Sequence, residues 1–249
     1  MKIPKKISPD RIKDAIVQIR YQSVIPFEVA LGWFYKCIDD TYNYSSRPPG
    51  LIKNQIHTLI QEDITQGIQI ALGHQYLFYN ENIKVELQPN TITFNCFDQY
   101  IGWDLYFGEI KRFLGQILEA EVIERFDRIG VRYISHYPAI DLRNCVKYSF
   151  TFGMPQVVSD MFAFNTSFEY DSKRVILNLN NNISLIDHQS NTINSMSIID
   201  VDVIDEKLTI EKNSSQEFFD KIDEVHNKEK EVFFNILKED FLQTLNPVY

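Results

Sequence analysis

Apolar side chains recur along this chain with two spacings, and local structure is expected to change wherever the spacing does. Residues 14–21 alternate Ile and Val with polar positions, which predicts a strand. Pro26 suits the first turn of a helix, and Phe27, Ala30, Leu31, Phe34, Ile38 and Tyr42 then recur at three and four residues as one apolar stripe. Ser45-Ser-Arg-Pro-Pro-Gly50 reads as a break, because two prolines remove backbone donors and restrict their neighbours. A second helix is predicted beyond it, with Leu51, Ile52, Ile56, Leu59 and Ile60 on its buried side and Gly67 at its end. From Ile68 to Phe97 the period becomes two, with Asn80-Glu-Asn and Pro89-Asn90 as turns between short antiparallel strands.

Gly102-Trp103 opens another helical pattern, in which Leu105 or Tyr106, Ile110, Phe113, Leu114, Ile117 and Leu118 share a face. Residues 128–137 return to strand spacing, with Ile129, Val131, Tyr133 and Tyr137 on one side and Arg128, Arg132 and His136 on the other. Further strands are predicted over 146–152, 164–170, 174–179 and 196–204, with Asn180-Asn-Asn182 as an intervening turn. Ser214-Ser-Gln-Glu217 has capping-box spacing, and Phe218, Ile222, Val225, Val232, Phe233, Ile236, Leu237, Phe241 and Leu245 sustain one long helical stripe toward Pro247. The predicted class is α+β: antiparallel sheet in two meander halves, covered by amphipathic helices, with a long C-terminal helix. It reads as a single domain over 1–249, or as two intimately packed halves at about 1–120 and 121–249.

Composition narrows the function classes. With 249 residues and 44% hydrophobic content, the chain can bury a large core without staples. Cys37, Cys96 and Cys145 lie far apart with no C-x-x-C pair, which suggests neither a zinc knuckle nor a disulfide framework. No stretch approaches the roughly 20 apolar residues of a membrane span, and the basic leader runs into Ser8-Pro9-Asp10 rather than an apolar segment. The expected compartment is the cytoplasm. A net charge of −9 argues against general attraction to phosphate backbones, leaving only a local N-terminal patch of Lys2, Lys5, Lys6, Arg11, Lys13 and Arg20 for nucleic acid.

Catalytic motifs are missing. The histidines at 57, 74, 136, 188 and 226 form no H-E-x-x-H or i,i+4 pair, and His226 reads as a satisfied helix histidine. There is no G-x-S-x-G elbow and no Walker-type loop. If Ile199, Val201 and Val203 face the core, Asp200 and Asp202 point together to the opposite face, where they could hold Mg2+ or be an ordinary solvated strand face. Arg128 and Arg132 share strand parity and could clamp a carboxylate or phosphate, or pair with carboxylates on a neighbouring strand. Trp103 reads as a packing anchor or interface residue, with a ligand-stacking role as the alternative.

Three stretches in order, Ile7-Ser-Pro-Asp-Arg-Ile-Lys-Asp-Ala-Ile-Val-Gln-Ile-Arg-Tyr21, Phe97-Asp-Gln-Tyr-Ile-Gly-Trp103 and Arg128-Ile-Gly-Val-Arg-Tyr-Ile134, resemble a sporadically distributed prokaryotic protein family of about this length with no assigned activity. The resemblance implies a horizontally transferred gene, similar in pattern to phage-defence and toxin–antitoxin systems. It carries over no catalytic residue, and the Asn-rich second half departs from it. The leading expectation is therefore a non-catalytic binding protein without a cofactor, acting on a protein partner or as a homo-oligomer, with an accessory or immunity role as its sharper form. One alternative is a metal-dependent enzyme acting on a phosphorylated or nucleotide substrate, with Asp200 and Asp202 as ligands and Arg128 and Arg132 as clamps. Another is a helix-grip protein enclosing a small apolar ligand under the last helix.

Overall fold

In a computed structural model, which describes residues 2–47, 50–51, 70–71, 75–97, 99–148, 161–187, 192–211 and 214–249, the first strand runs through the middle of the sheet. This strand, β1 (Ile12–Ser23), is followed by α1 (Phe27–Cys37), β2 (Asn43–Arg47), a separate two-strand ribbon of β3 (Gly50–Leu51) and β4 (Ile70–Ala71), the meander β5 (Gln75–Tyr79), β6 (Lys84–Gln88) and β7 (Thr91–Phe97), and then α2 (Trp103–Leu118). The second half repeats that plan. Strand β8 (Ile123–Pro138) leads to a single turn, α3 (Leu142–Cys145), then β9 (Phe162–Tyr170), β10 (Lys173–Asp187) and β11 (Thr192–Asp205), a short β12 (Ile210–Glu211), the long α4 (Ser215–Ile236) and α5 (Glu239–Thr244).

These strands form one ten-stranded antiparallel sheet in the order β2-β5-β6-β7-β1-β8-β11-β10-β9, with β12 added against β8. In each half the last meander strand returns beside the opening strand, and β1 and β8 pair with each other at the centre. The predicted α+β class, meander halves and C-terminal helix are all present.

Register explains why one face is dry. Tyr44, Phe78, Val85, Phe94, Val17, Val131, Val203, Val175 and Phe168 are successive cross-strand partners, so one apolar row crosses nine strands. Among the described residues, every helix long enough to cover a sheet lies on that side. Phe34 of α1 meets Tyr21, Phe113 of α2 meets Phe78 and Phe94, Phe218 of α4 stacks on Phe126 at 3.7 Å, and Phe241 of α5 meets Tyr137. Tyr106, not Leu105, completes the buried face of α2; Leu105 is 66% exposed.

Several expectations need correction. Residues read as a break at 45–50 include an edge strand, β2, because pairing with β5 overrides weak local propensity. The stripe through Tyr42 outruns its helix, which stops at Cys37; Ile38 is extended and Tyr42 packs edge-on against Phe113. Asn180-Asn-Asn182 is not a turn but a bulge inside β10, with Asn182 at φ 59° and the pairing register to β11 shifted between Asn180 and Ile183. Ser214 does stand at the N-cap of α4, yet its hydroxyl makes no capping bond, since its backbone (φ −101°, ψ 45°) is not the extended form that aims the side chain at the first turn.

The final stripe is two helices rather than one. Leu237 turns extended and bridges Val146, while Lys147 N–H donates to the Ile236 carbonyl and Lys238 N–H to that of Cys145. The same bridge replaces the start of the strand expected at 146–152; its remainder beyond Tyr148 lies outside the described residues, as does the predicted second helix except for Leu51, which stands instead in β3 opposite Ile70. Among the described residues no helix is long and apolar enough to cross a membrane.

Gly102 caps α2 with φ 88°, and an added Cβ there would meet nothing within 4 Å. Gly102→Ala is therefore expected to cost only backbone strain, about 1–2 kcal/mol. A urea melt would show this as a lower midpoint at unchanged slope.

Candidate functional site

Side chains of opposite parity to the apolar row project from the other face of the sheet. With Ile199, Val201 and Val203 fully buried against the helices, Asp200 and Asp202 do share that open face. Asp200 lies opposite Ile134, and Asp202 opposite Arg132. Arg132 nevertheless leans along its strand to the diagonal partner: its Nε donates to Asp200 Oδ1 at 2.8 Å and a terminal nitrogen to Oδ2 at 2.7 Å. Asn178 on β10 adds a third hydrogen bond to Oδ2, at 2.9 Å. Asp200 is 4% exposed, and its acceptor capacity is largely taken up by this bidentate fork and amide.

Arg128 leans the same way and donates to Gln18 Oε1 on β1. Its guanidinium comes to rest over Gly130. A Cβ built on Gly130 would lie 3.5 and 3.7 Å from the two terminal nitrogens of Arg128 and 3.7 Å from Asp202 Oδ1. The absent side chain thus leaves a gap with a guanidinium and a carboxylate on its rim, between Gln18 on β1 and Ile204 on β11.

Asp202 is left without a hydrogen-bond donor or ion pair among the described residues. Desolvation pushes its carboxyl up to about 6, against the pull of Arg132 and Arg128 and with the push of Asp200. Burial also lowers Arg128 from the usual guanidinium range, opposed chiefly by Asp202. The two shifts share one cause, the partial burial of both groups, and each group is in part held by the other's charge.

The four charged residues expected to act together do converge, while Trp103 does not join them. Trp103 lies on the helix side, stacked at 3.7 Å on His226 and donating from Nε1 to Asp223 at 2.7 Å. His226 Nδ1 and the Tyr133 hydroxyl share a hydrogen bond at 3.1 Å, and Tyr133 and Tyr100 share another at 3.0 Å. Burial holds His226 down to about 3, so its ring is neutral at physiological pH. Glu229, one turn further along α4, is 3% exposed, and its Oε1 has no hydrogen-bond partner; burial, with Asp202 and Asp200 beneath, raises its carboxyl well above the usual range.

This buried polar group escaped the sequence reading, although the signal was present. Glu229 falls on the same helical stripe as Ile222, Val225 and Val232, where a carboxyl is out of place. Gly130, breaking the alternation between two arginines, was the corresponding sign of the gap on the open face.

The open-face pair Asp200 and Asp202 has no third ligand beside it: among the described residues no group of three or more His, Cys, Asp or Glu is placed to hold a metal ion. A cleft of about 360 Å³ opens elsewhere, beside Lys173, Lys207 and Lys221 at the start of α4. Its lysines are engaged by carboxylates, Lys173 with Glu224 at 2.6 Å and Asp205 at 3.3 Å, Lys221 with Glu224, and Lys207 with Glu169. In the expected N-terminal basic patch, Arg20 is paired with Asp127 at 2.6 Å. Neither any protein-family profile nor any curated protein matches the chain.

Proposed function

We propose that this protein is a non-catalytic binding protein that docks a polypeptide partner on the open face of its sheet. The observation that carries this is the segregation of the fold among the described residues: the covering helices stand on one side, and the opposite side presents a half-buried, charge-balanced array of hydrogen-bonding groups at its centre. Arg132 offsets Asp200, and Arg128 faces Asp202. Around them stand uncharged groups, Gln18, Thr91, Thr93 and Asn95 toward β7 and Asn165 and Asn178 toward β9. Balanced charge with many amides and hydroxyls suits a protein surface better than a polyanion, whose binding needs a basic excess.

Metal-assisted phosphoryl chemistry draws on the same four residues, but it would have to free Arg132 and Asp200 from each other first. A helix-grip cavity has less support, because the side of α4 toward the sheet is filled by Phe218, Ile222, Val225 and Val232, all buried.

Selection of a random 12-residue peptide library on the immobilised full chain tests the proposal. Enriched peptides are expected to lose at least about tenfold in affinity, roughly 1.4 kcal/mol, on Thr93→Arg or Asn178→Arg. Lys111→Glu, on α2, is expected to leave them unchanged. Peptides indifferent to the open-face changes would overturn the proposal, as would release of phosphate from a nucleoside triphosphate with Mg2+ that disappears on Asp200→Ala.

A further inference from the structure

We propose that the gap over Gly130 is a subsite for one neutral amide edge, a peptide group or an Asn or Gln carboxamide, whose carbonyl accepts from Arg128 while its N–H donates to Asp202. This deepens the docking proposal and rests on it. Two facts define the subsite. The guanidinium of Arg128 and the carboxylate of Asp202 both lie within 3.7 Å of the position a single Cβ would occupy. Yet no ion pair joins them, and Asp202 accepts no hydrogen bond among the described residues.

A ligand seated there meets an acceptor on one side and donors on the other. Asp202 needs a donor, and Arg128, with one terminal nitrogen turned to Gln18, has further N–H groups for an acceptor. An amide carries both along one edge, at the spacing of one planar group.

Charge decides against the two ionic alternatives. An anion would sit against Asp202 with Asp200 behind it, and the nearest further arginine, Arg132, is held by Asp200 at two of its three guanidinium nitrogens. A cation would sit as close to the guanidinium of Arg128 as to the carboxylate of Asp202. A neutral group adds no charge to a site whose own charges cancel, and it relieves the desolvation Asp202 suffers. Gly130 is required because any side chain would occupy the place of the amide.

The probes are propionamide, propionate and propylammonium, small enough for the gap and differing in charge. Each is titrated into the full chain while the Arg Nε–H and Asp carboxyl carbon signals are followed by NMR. Propionamide is expected to shift Arg128 and Asp202 together and saturate in the millimolar range, about tenfold tighter than either ion. Gly130→Ala is expected to abolish the response without unfolding the protein, since the new Cβ meets its neighbours at ordinary contact distance.

Propionate or propylammonium binding as well as the amide would overturn the subsite, and so would an unchanged amide response in Gly130→Ala. If library-selected peptides still map to the open face while propionamide moves neither signal, the subsite is wrong and the docking proposal stands. If propionamide binds as expected but selected peptides ignore the open face, the subsite stands as a small-carboxamide site and the polypeptide partner is wrong.

Discussion

Replacing Arg132 with methionine is expected to destabilise the protein by about 2–4 kcal/mol, and to lower its melting temperature by roughly 10 °C. The reason is less the loss of an attraction than what remains behind. Asp200 is almost fully buried and, without the guanidinium, keeps one amide donor for a full negative charge. The guanidinium itself is 40% exposed, which places the expected cost toward the lower part of the range for breaking a buried pair. Removing both charges in Arg132→Met with Asp200→Leu is expected to restore most of the loss, because the desolvation penalty leaves with them. Chemical denaturation of the two single variants and the double variant closes the cycle. Additive losses would show that the pair behaves as two independent surface charges.

Replacing Glu229 with methionine is expected to do the opposite: stabilise the fold by about 1–3 kcal/mol at pH 8, the usual penalty of a buried polar group without a partner, and to have much less effect at pH 4. The sign follows from the direction of the shift. Burial raises the folded carboxyl above its unfolded value of 4.5, with Asp202 and Asp200 adding to the rise and Lys230 opposing it. Below pH 4.5 both states hold the proton, and only the smaller cost of burying a neutral carboxyl remains. As pH climbs from there toward the folded pKa, the unfolded chain releases its proton and the folded chain retains it, so wild-type stability falls relative to the variant. Methionine keeps helix propensity and approximate volume, so the pH-dependent difference isolates the carboxyl. Asp202, raised to about 6, acts in the same direction between its unfolded value of 3.8 and 6, in wild type and variant alike. Stability curves that stay parallel from pH 4 to pH 8 would show that Glu229 finds a partner or solvent in solution.

Both effects arise where the sequence spoke only in part. Alternation placed Asp200 and Asp202 on one face and Arg128 and Arg132 on one face, since parity along a strand is local information. It could not say which carboxylate each arginine would choose, because that depends on cross-strand register and on both side chains leaning two positions along β8. Strand order was equally hidden: nothing local announces that β1 and β8, more than a hundred residues apart, lie side by side. The break at Leu237 shows the same limit. Its stripe continues unbroken through Phe241, and only pairing with Val146 diverts the backbone. Trp103 reads from the sequence as a packing anchor, an interface residue or a ligand-stacking group, because an aromatic at a strand-to-helix junction suits all three. Its partners, His226 and Asp223, came from a helix far along the chain.

The pairing of β1 with β8 along most of both strands makes each half the other's missing neighbour. Severing the polypeptide between Leu118 and Ile123 would leave two fragments, each ending its sheet in a long bare strand, with unsatisfied amides along its edge and greasy residues such as Val17 or Val131 on one side. Such pieces are suited to recombine from separate chains, each templating the other.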